Sequence, residues 1–161
     1  MDIDEFWSLI ERSDSAPDQE EGLRALLRGR SREDLVDFER IFADQLARTY
    51  RWDLWGAGYV INGGMSDDSF DYFRYWLIGR GREVFERALA DPDSLADVPA
   101  ALEGDLEAEG LWGAGIEAYE QTYDEEMPIE EREHPDEPAG EEWDDDDLDR
   151  LFPRLSAKFG P

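Results

Sequence analysis

The clearest helical pattern lies in residues 31–50, which have the sequence SREDLVDFERIFADQLARTY. Ser31 is followed three residues later by Asp34, an arrangement typical of a helix start. Beyond this start, apolar residues recur at intervals of three and four, which places them on one face of a helix. The segment therefore predicts a long helix with one buried face, formed by Leu35, Phe38, Phe42, Leu46 and Tyr50.

The flanking sequence predicts further helices on both sides. Asp2, with Glu5 three residues later, has the pattern of a helix-capping box. Residues 51–95 predict three helices, the second of them starting at Ser66, and residues 106–125 predict one more. No segment shows the strict alternation of a half-buried strand. The sequence thus predicts an all-α fold, with a single compact helical domain of about six or seven helices.

The composition changes at Glu125. Residues 126–147 are rich in acid, proline and glycine, and such a segment buries too little apolar surface to offset its ordering entropy. We expect a domain at 1–125, an acidic and partly disordered linker at 126–147, and a short amphipathic segment at 148–161. The apolar residues of that last segment are Leu148, Leu151, Phe152, Leu155 and Phe159.

Two roles are open for this C-terminal part of the chain. We expect residues 126–161 to be dispensable for folding and to engage a partner, because a hydrophobic peptide on a charged tether suits a groove. In the alternative, the segment packs on its own domain and covers an apolar patch.

Charge is the strongest compositional signal. The chain has 43 acidic residues against 16 Lys and Arg, a formal net charge of −27. Such a field repels nucleic acid and anionic lipid, which argues against direct binding to either, and it favours a basic protein partner. In the simpler alternative, the negative charge serves only to keep the protein soluble. No run approaches ~18 apolar residues, and the first residues are acidic, so we expect neither a membrane span nor a secretion signal, and a cytoplasmic location.

The residue types that carry most catalysis are scarce. There is no Cys, and the one His, His134, lies in the predicted linker. Thiolate chemistry, a Ser–His pair and the usual zinc sites are therefore disfavoured. The sequence indicates no catalytic residue, no metal site and no cofactor.

Carboxylates, arginines and aromatic rings remain as candidates for ligand binding. Acids at the start of the helix from Ser66 can hold Mg²⁺ or simply stabilise the helix dipole. Gly79, Arg80, Gly81 and Arg82 can form an anion site, or the arginines can pair with nearby acids. The aromatic residues of 51–82 fill a core or line a groove. The candidate ligand-binding residues are Trp52, Tyr59, Asn62, Asp67, Asp71, Arg74, Arg80 and Arg82.

One pentapeptide occurs twice. Residues 54–58 and 111–115 both have the sequence LWGAG, although the flanking residues differ. Small residues beside a large Trp let two backbones approach closely, so we expect a tight helix crossing at each copy.

Several motifs resemble an uncharacterised bacterial family, domain of unknown function 4240. They are MDIDEFW at 1–7, YRWDLW at 50–55, YVINGG at 59–64, SDDSF at 66–70, FRYWLI at 73–78 and ALADPDSL at 88–95. The resemblance covers roughly residues 1–125 and stops before the acidic segment. It implies no established activity and no catalytic residues.

Three functional hypotheses follow. The first is a non-enzymatic binding or regulatory module that engages a protein partner through an aromatic groove or the acidic face. The second is an enzyme or a binder of a small, phosphorylated compound, with a pocket formed by residues 62–71 together with Arg80 and Arg82. The third is an acidic mimic of nucleic acid.

Overall fold

The described residues form an all-α structure, as the sequence predicted. The computed structural model describes residues 1–103, 106 and 108–160, and within them there are α-helices, short 3₁₀ helices and no β-strand. The α-helices are α1 (Ile3–Asp14), α2 (Gln19–Leu27), α3 (Arg32–Arg48), α4 (Trp52–Asn62), α5 (Asp67–Gly79), α6 (Arg82–Ala90), α7 (Ala114–Tyr123), α8 (Leu148–Leu151) and α9 (Pro153–Phe159). The 3₁₀ helices are Pro92–Asp97, Pro99–Glu103, Glu109–Leu111 and Asp145–Asp147.

The helices outnumber the six or seven that were expected. In the part of the chain that the structure describes, seven α-helices lie before residue 126, and α8 and α9 lie beyond it. Pro153 separates these last two because proline cannot continue a helix but suits its first turn.

Side-chain caps set several of the helix starts. The side chains of Asp2, Ser31 and Ser66 accept hydrogen bonds from the backbone N–H three residues later, at 2.8, 3.1 and 3.2 Å. These local signals are readable from sequence, and the three predicted starts are confirmed. The helix predicted over 106–125 begins only at Ala114, because Gly113 adopts a φ of +80° before it.

The core is aromatic and centres on α5. This helix packs against α1, α3, α4 and α6, and its residues Phe73, Leu77 and Ile78 have no exposed surface. Phe6 of α1 packs on Phe38 of α3 with ring centroids 5.1 Å apart.

The C-terminal segment packs on the domain. Met127, Leu148, Phe152 and Leu155 are all buried in the core, and α9 packs against α4 and Pro92–Asp97. The carboxylate of Asp93 accepts the backbone N–H groups of Arg154 and Leu155 at 3.1 and 2.9 Å. The C-terminal segment therefore packs on its own domain, as the second of the two sequence-based alternatives predicted. Its expected dispensability for folding is replaced by the opposite expectation, because truncation would expose this apolar surface.

Both copies of the LWGAG repeat lie at close approaches. A Cβ at Gly58 would lie 3.1 Å from Phe73, and one at Gly115 would lie 3.1 Å from Phe38. The atoms nearest to such a Cβ belong to the side chains of Met65 and Glu39, so the small residues make room for side chains, and the helix crossing expected at each copy stays a prediction. The two tryptophans differ, because Trp55 stacks on Phe70 whereas Trp112 is 54% exposed.

Within the described residues, no helix is both long and apolar enough to cross a membrane.

Candidate functional site

A cleft of about 460 Å³ lies between the starts of α4 and α5 and the segment 134–142. We call it the acidic aromatic cleft, because four aromatic rings and five carboxylate side chains line it, together with His134 and Pro138. The rings are Tyr50, Trp52, Trp55 and Phe70, and the carboxylates are Asp67, Asp71, Asp136, Glu137 and Glu142.

The rings form a continuous stack along one wall. Trp52 and Trp55 are 5.3 Å apart and nearly parallel, and Phe70 continues the stack 4.8 Å from Trp55. Tyr50 follows at 6.2 Å from Phe70, and His134 packs on Tyr50 at 4.7 Å. The indole N–H of Trp55 donates to the Met65 carbonyl at 3.0 Å, which fixes the central ring. Stacking and one hydrogen bond therefore hold the rings of this wall in place.

The carboxylates of the cleft are mostly unpaired. Asp71 forms an ion pair with Arg74 at 3.0 Å. Among the described residues, no Arg, Lys or His lies within 4.0 Å of the carboxylate oxygens of the other four. The cleft thus presents surplus negative charge next to aromatic faces.

Backbone hydrogen bonds hold the acidic segment over the cleft. The N–H of Ala139 donates to the Tyr50 carbonyl at 2.9 Å, and the N–H of Trp52 donates to the Ala139 carbonyl at 3.0 Å. Farther along, the indole N–H of Trp143 donates to the Trp52 carbonyl at 2.6 Å. These contacts position the carboxylates on either side of Ala139 opposite the aromatic wall.

Arg74 supports the cleft from inside the protein. It is 4% exposed, and its guanidinium donates to the Thr49 hydroxyl at 2.8 Å and to the Leu46 carbonyl at 2.9 Å, as well as to Asp71. Burial lowers the pKa of Arg74, and the adjacent Asp71 partly opposes that effect. Because Arg74 ties the end of α3 to α5, it positions Asp71 and Tyr50 and is itself largely shielded from solvent.

The structure brings together only some of the predicted site residues. Trp52, Asp67 and Asp71 line the cleft, and Arg74 lies behind it. Tyr59 instead packs on Trp143 at 5.1 Å. The side-chain amide of Asn62 donates to the Gly64 carbonyl at 2.8 Å, away from the cleft lining.

Arg80 and Arg82 lie elsewhere. Arg80 pairs with Asp14 at 3.2 Å and donates to Gln19, and Arg82 pairs with Asp4 at 2.8 Å. The glycines around them have packing reasons: Gly81 has a φ of +97°, and a Cβ at Gly79 would lie 2.7 Å from Leu111. Among the described residues, the predicted pocket of residues 62–71 with Arg80 and Arg82 is therefore not assembled, and Arg82 instead lines a separate concavity with Asp4, Trp7 and Arg12.

Sequence reasoning missed the far side of the cleft. Asp136, Glu137, Glu142 and His134 were assigned to a linker, although they face an ordered aromatic wall. Trp143 is the signal that could have found them, since a single large aromatic within an acidic run needs a surface on which to pack.

One further carboxylate is perturbed. Burial raises the pKa of Glu39 from its ordinary 4.5 to about 7, although the backbone N–H groups of Gly115 and Ile116 donate to it at 2.7 and 3.3 Å. Glu39 lies on α3 and contacts the first turn of α7, where Gly115 packs close to α3. In the described part of the chain, no group of three or more His, Asp or Glu side chains has an arrangement that could hold a metal ion.

Comparison with known proteins identifies the family. The model of the family described as "Protein of unknown function (DUF4240)" matches residues 1–121. The chain belongs to this family. The DUF4240 region contains the aromatic wall with Asp67 and Asp71, whereas segment 134–142 lies outside it. No curated protein and no solved structure matches the chain.

Proposed function

We propose that this DUF4240 protein is a non-enzymatic binding module that holds a cationic side chain of a basic protein partner in the acidic aromatic cleft. The observation that carries the proposal is the set of unpaired carboxylates beside an ordered stack of rings. We also propose the cytoplasm as its location, in keeping with the composition.

The chemistry of the cleft favours an organic cation. A guanidinium or ammonium group is attracted both to carboxylates and to the faces of Trp and Tyr. Arginine suits this site best, because its planar group can stack on Trp52 while its N–H groups donate to a carboxylate.

The charge of the whole chain supports the same partner. Most arginines already pair with the protein's own carboxylates, for example Arg24 with Glu117 and Arg48 with Glu86. The net charge of −27 therefore leaves many acids without an internal partner. This field speeds the approach of a basic surface and repels phosphate groups, which disfavours the phosphorylated ligand of the second hypothesis.

The strength of a single contact is modest. Each exposed cation–π contact contributes about 0.5–1 kcal/mol, and each exposed ion pair roughly 0–1 kcal/mol. Trp55 is stacked between Trp52 and Phe70, and Arg74 already lies over Tyr50 and Phe70, so one cation–π contact on Trp52 is counted. With two ion pairs it gives at most about 3 kcal/mol, which corresponds to a dissociation constant of the order of 10 mM. Useful affinity therefore requires further contacts around the cleft.

The test compares a cleft variant with a surface variant of equal charge. The cleft variant carries Asp67→Asn, Asp136→Asn and Glu142→Gln, and the control carries Glu120→Gln, Glu126→Gln and Asp149→Asn, which are exposed outside the cleft. Binding of a fluorescein-labelled peptide of alternating Arg and Ser is followed by anisotropy at physiological salt. We expect the cleft variant to bind about tenfold more weakly and the control to bind nearly as the wild type does.

Equal losses in the two variants would contradict the proposal. They would leave general charge attraction, without a defined site, as the explanation.

A further inference from the structure

A second concavity lies at the other end of α3. It has a volume of about 260 Å³ and lies between α3, the start of α7 and residues 127–132. We call it the Trp112 groove. Its lining includes Trp112 and Ile129, which are 54% and 68% exposed, together with the apolar side chains of Ile116 and Met127. Two exposed apolar side chains in one groove are unusual for a surface as polar as this one.

The Trp112 groove and the acidic aromatic cleft lie in one row of adjoining concavities. A hollow of about 280 Å³ lies between them. It shares Ala43 and Arg132 with the groove, and it shares Tyr50, Asp71 and His134 with the cleft. Two side chains bridge the walls at these junctions: Arg132 donates to Asp44 and to the Arg40 carbonyl, and His134 packs on Tyr50, so a ligand that follows the trough passes over them. The three concavities therefore form one trough that follows α3, with residues 127–142 as the opposite wall.

The two ends of the trough differ in chemistry. At the groove end, Arg40 pairs with Asp37 at 3.1 Å and Arg132 pairs with Asp44 at 2.6 Å, so these charges are internally balanced. At the cleft end, the carboxylates are in surplus. One end accordingly suits an apolar side chain, and the other suits a basic one.

The length of α3 gives the distance between the Trp112 groove and the cleft. Glu39 and Arg40 of α3 line the groove, and Tyr50, two residues beyond the end of α3, lines the cleft, so the two sites are about ten residues apart in the chain. At 1.5 Å per residue this is about 15 Å. An extended peptide covers that distance in about five residues at 3.3 Å each.

We propose that the trough binds one extended segment of the basic partner, with an apolar side chain in the Trp112 groove and a basic side chain about five residues away in the cleft. This inference rests on the proposed function of the cleft. A second copy of the chain is a poor occupant, because it would bring a charge of −27 against an equal charge. An anionic lipid surface is repelled for the same reason.

Short capped peptides test the inference. The probes are acetyl-arginine methylamide, a capped peptide with Leu and Arg separated by four Gly and Ser residues, made in both orders, and the same peptide with Leu replaced by Gly. We expect the linked peptide in one order to bind at least about tenfold more tightly than the peptide without Leu, because its second contact is intramolecular. Removing the four spacer residues should abolish that gain.

Protein variants locate the apolar contact. Trp112→Ser and Ile129→Ser alter exposed side chains and should remove the gain of the linked peptide without changing the affinity for acetyl-arginine methylamide. Leu151→Ser changes another large exposed hydrophobic side chain, outside the groove, and serves as the matched control.

The outcomes separate the two proposals. If acetyl-arginine methylamide binds in the cleft but Leu adds no affinity, the proposal of an extended segment in the trough is wrong and the proposed cation site is retained. The same holds if the gain in affinity survives Trp112→Ser and Ile129→Ser. If acetyl-arginine methylamide does not bind, both fail.

Discussion

Replacing Phe152 by Ala tests whether the C-terminal segment belongs to the core. Phe152 is 4% exposed and lies in a notch at Gly56, where a Cβ would come within 2.7 Å of its ring. The adjacent Leu151 is 42% exposed and provides a matched control one residue away.

The expected losses differ several-fold. Truncation of a buried Phe to Ala costs about 3–5 kcal/mol, because apolar contacts are lost and a cavity remains. Truncation of the exposed Leu151 should cost less than about 1 kcal/mol. Against a total stability of about 5–15 kcal/mol for a domain, the first change is severe.

Urea unfolding followed by circular dichroism measures the difference. With a slope of about 2 kcal/mol per molar urea, Phe152→Ala should lower the midpoint by about 2 M, and Leu151→Ala should lower it by less than about 0.5 M. A chain ending at Glu125 should be less stable still, because it also lacks Leu148 and Leu155. Equal midpoints for Phe152→Ala and the wild type would refute the assignment of this segment to the core.

Three further predictions concern positions around the site. Gly56→Ala should lower the free energy of unfolding by about 1–2 kcal/mol through overpacking, and by less in the Phe152→Ala background, as a double-mutant cycle would show. Because Glu39 has a folded pKa of about 7 against an ordinary 4.5, the folded state retains a proton that the unfolded state has lost, so stability should fall by about 3 kcal/mol from pH 4.5 to 7. Urea titrations across that range should show this decline flattened in Glu39→Gln, and an unchanged slope would contradict the assignment. Arg74→Met should lower the free energy of unfolding by about 3 kcal/mol in the same assay. Arg74→Lys should restore only part of that loss, because one ammonium group cannot reach all the acceptors of a planar guanidinium. A loss below about 0.5 kcal/mol for Arg74→Met would show that Arg74 is not structural.

The local features of the fold were predictable from the sequence. Caps such as Ser31 and Ser66 act within three residues, and the apolar stripe of α3 follows from helical geometry alone. The placement of Asp67 and Asp71 on one side of α5 has the same origin. These signals need no knowledge of distant contacts.

The complete cleft was not predictable, because its two walls are joined by distant contacts. The hydrogen bonds between Ala139 and the backbone at Tyr50 and Trp52 span nearly 90 residues and leave no mark in side-chain type. Glu39 is similar, because its burial depends on the approach of Gly115 from α7. The sequence around Glu39 gives no sign that Gly115, 76 residues later, packs against it.

The most direct test of the central claim follows the indole N–H signals of ¹⁵N-labelled protein, assigned by single Trp→Phe variants. Acetyl-arginine methylamide is titrated in, and the neutral isostere acetyl-citrulline methylamide is titrated separately. The proposed cleft predicts saturable shifts of the Trp52 and Trp55 signals with the arginine compound, in the millimolar range, and an unmoved signal from the buried Trp7. Equal shifts with the citrulline compound, or no shift of Trp52 and Trp55 with either, would contradict it.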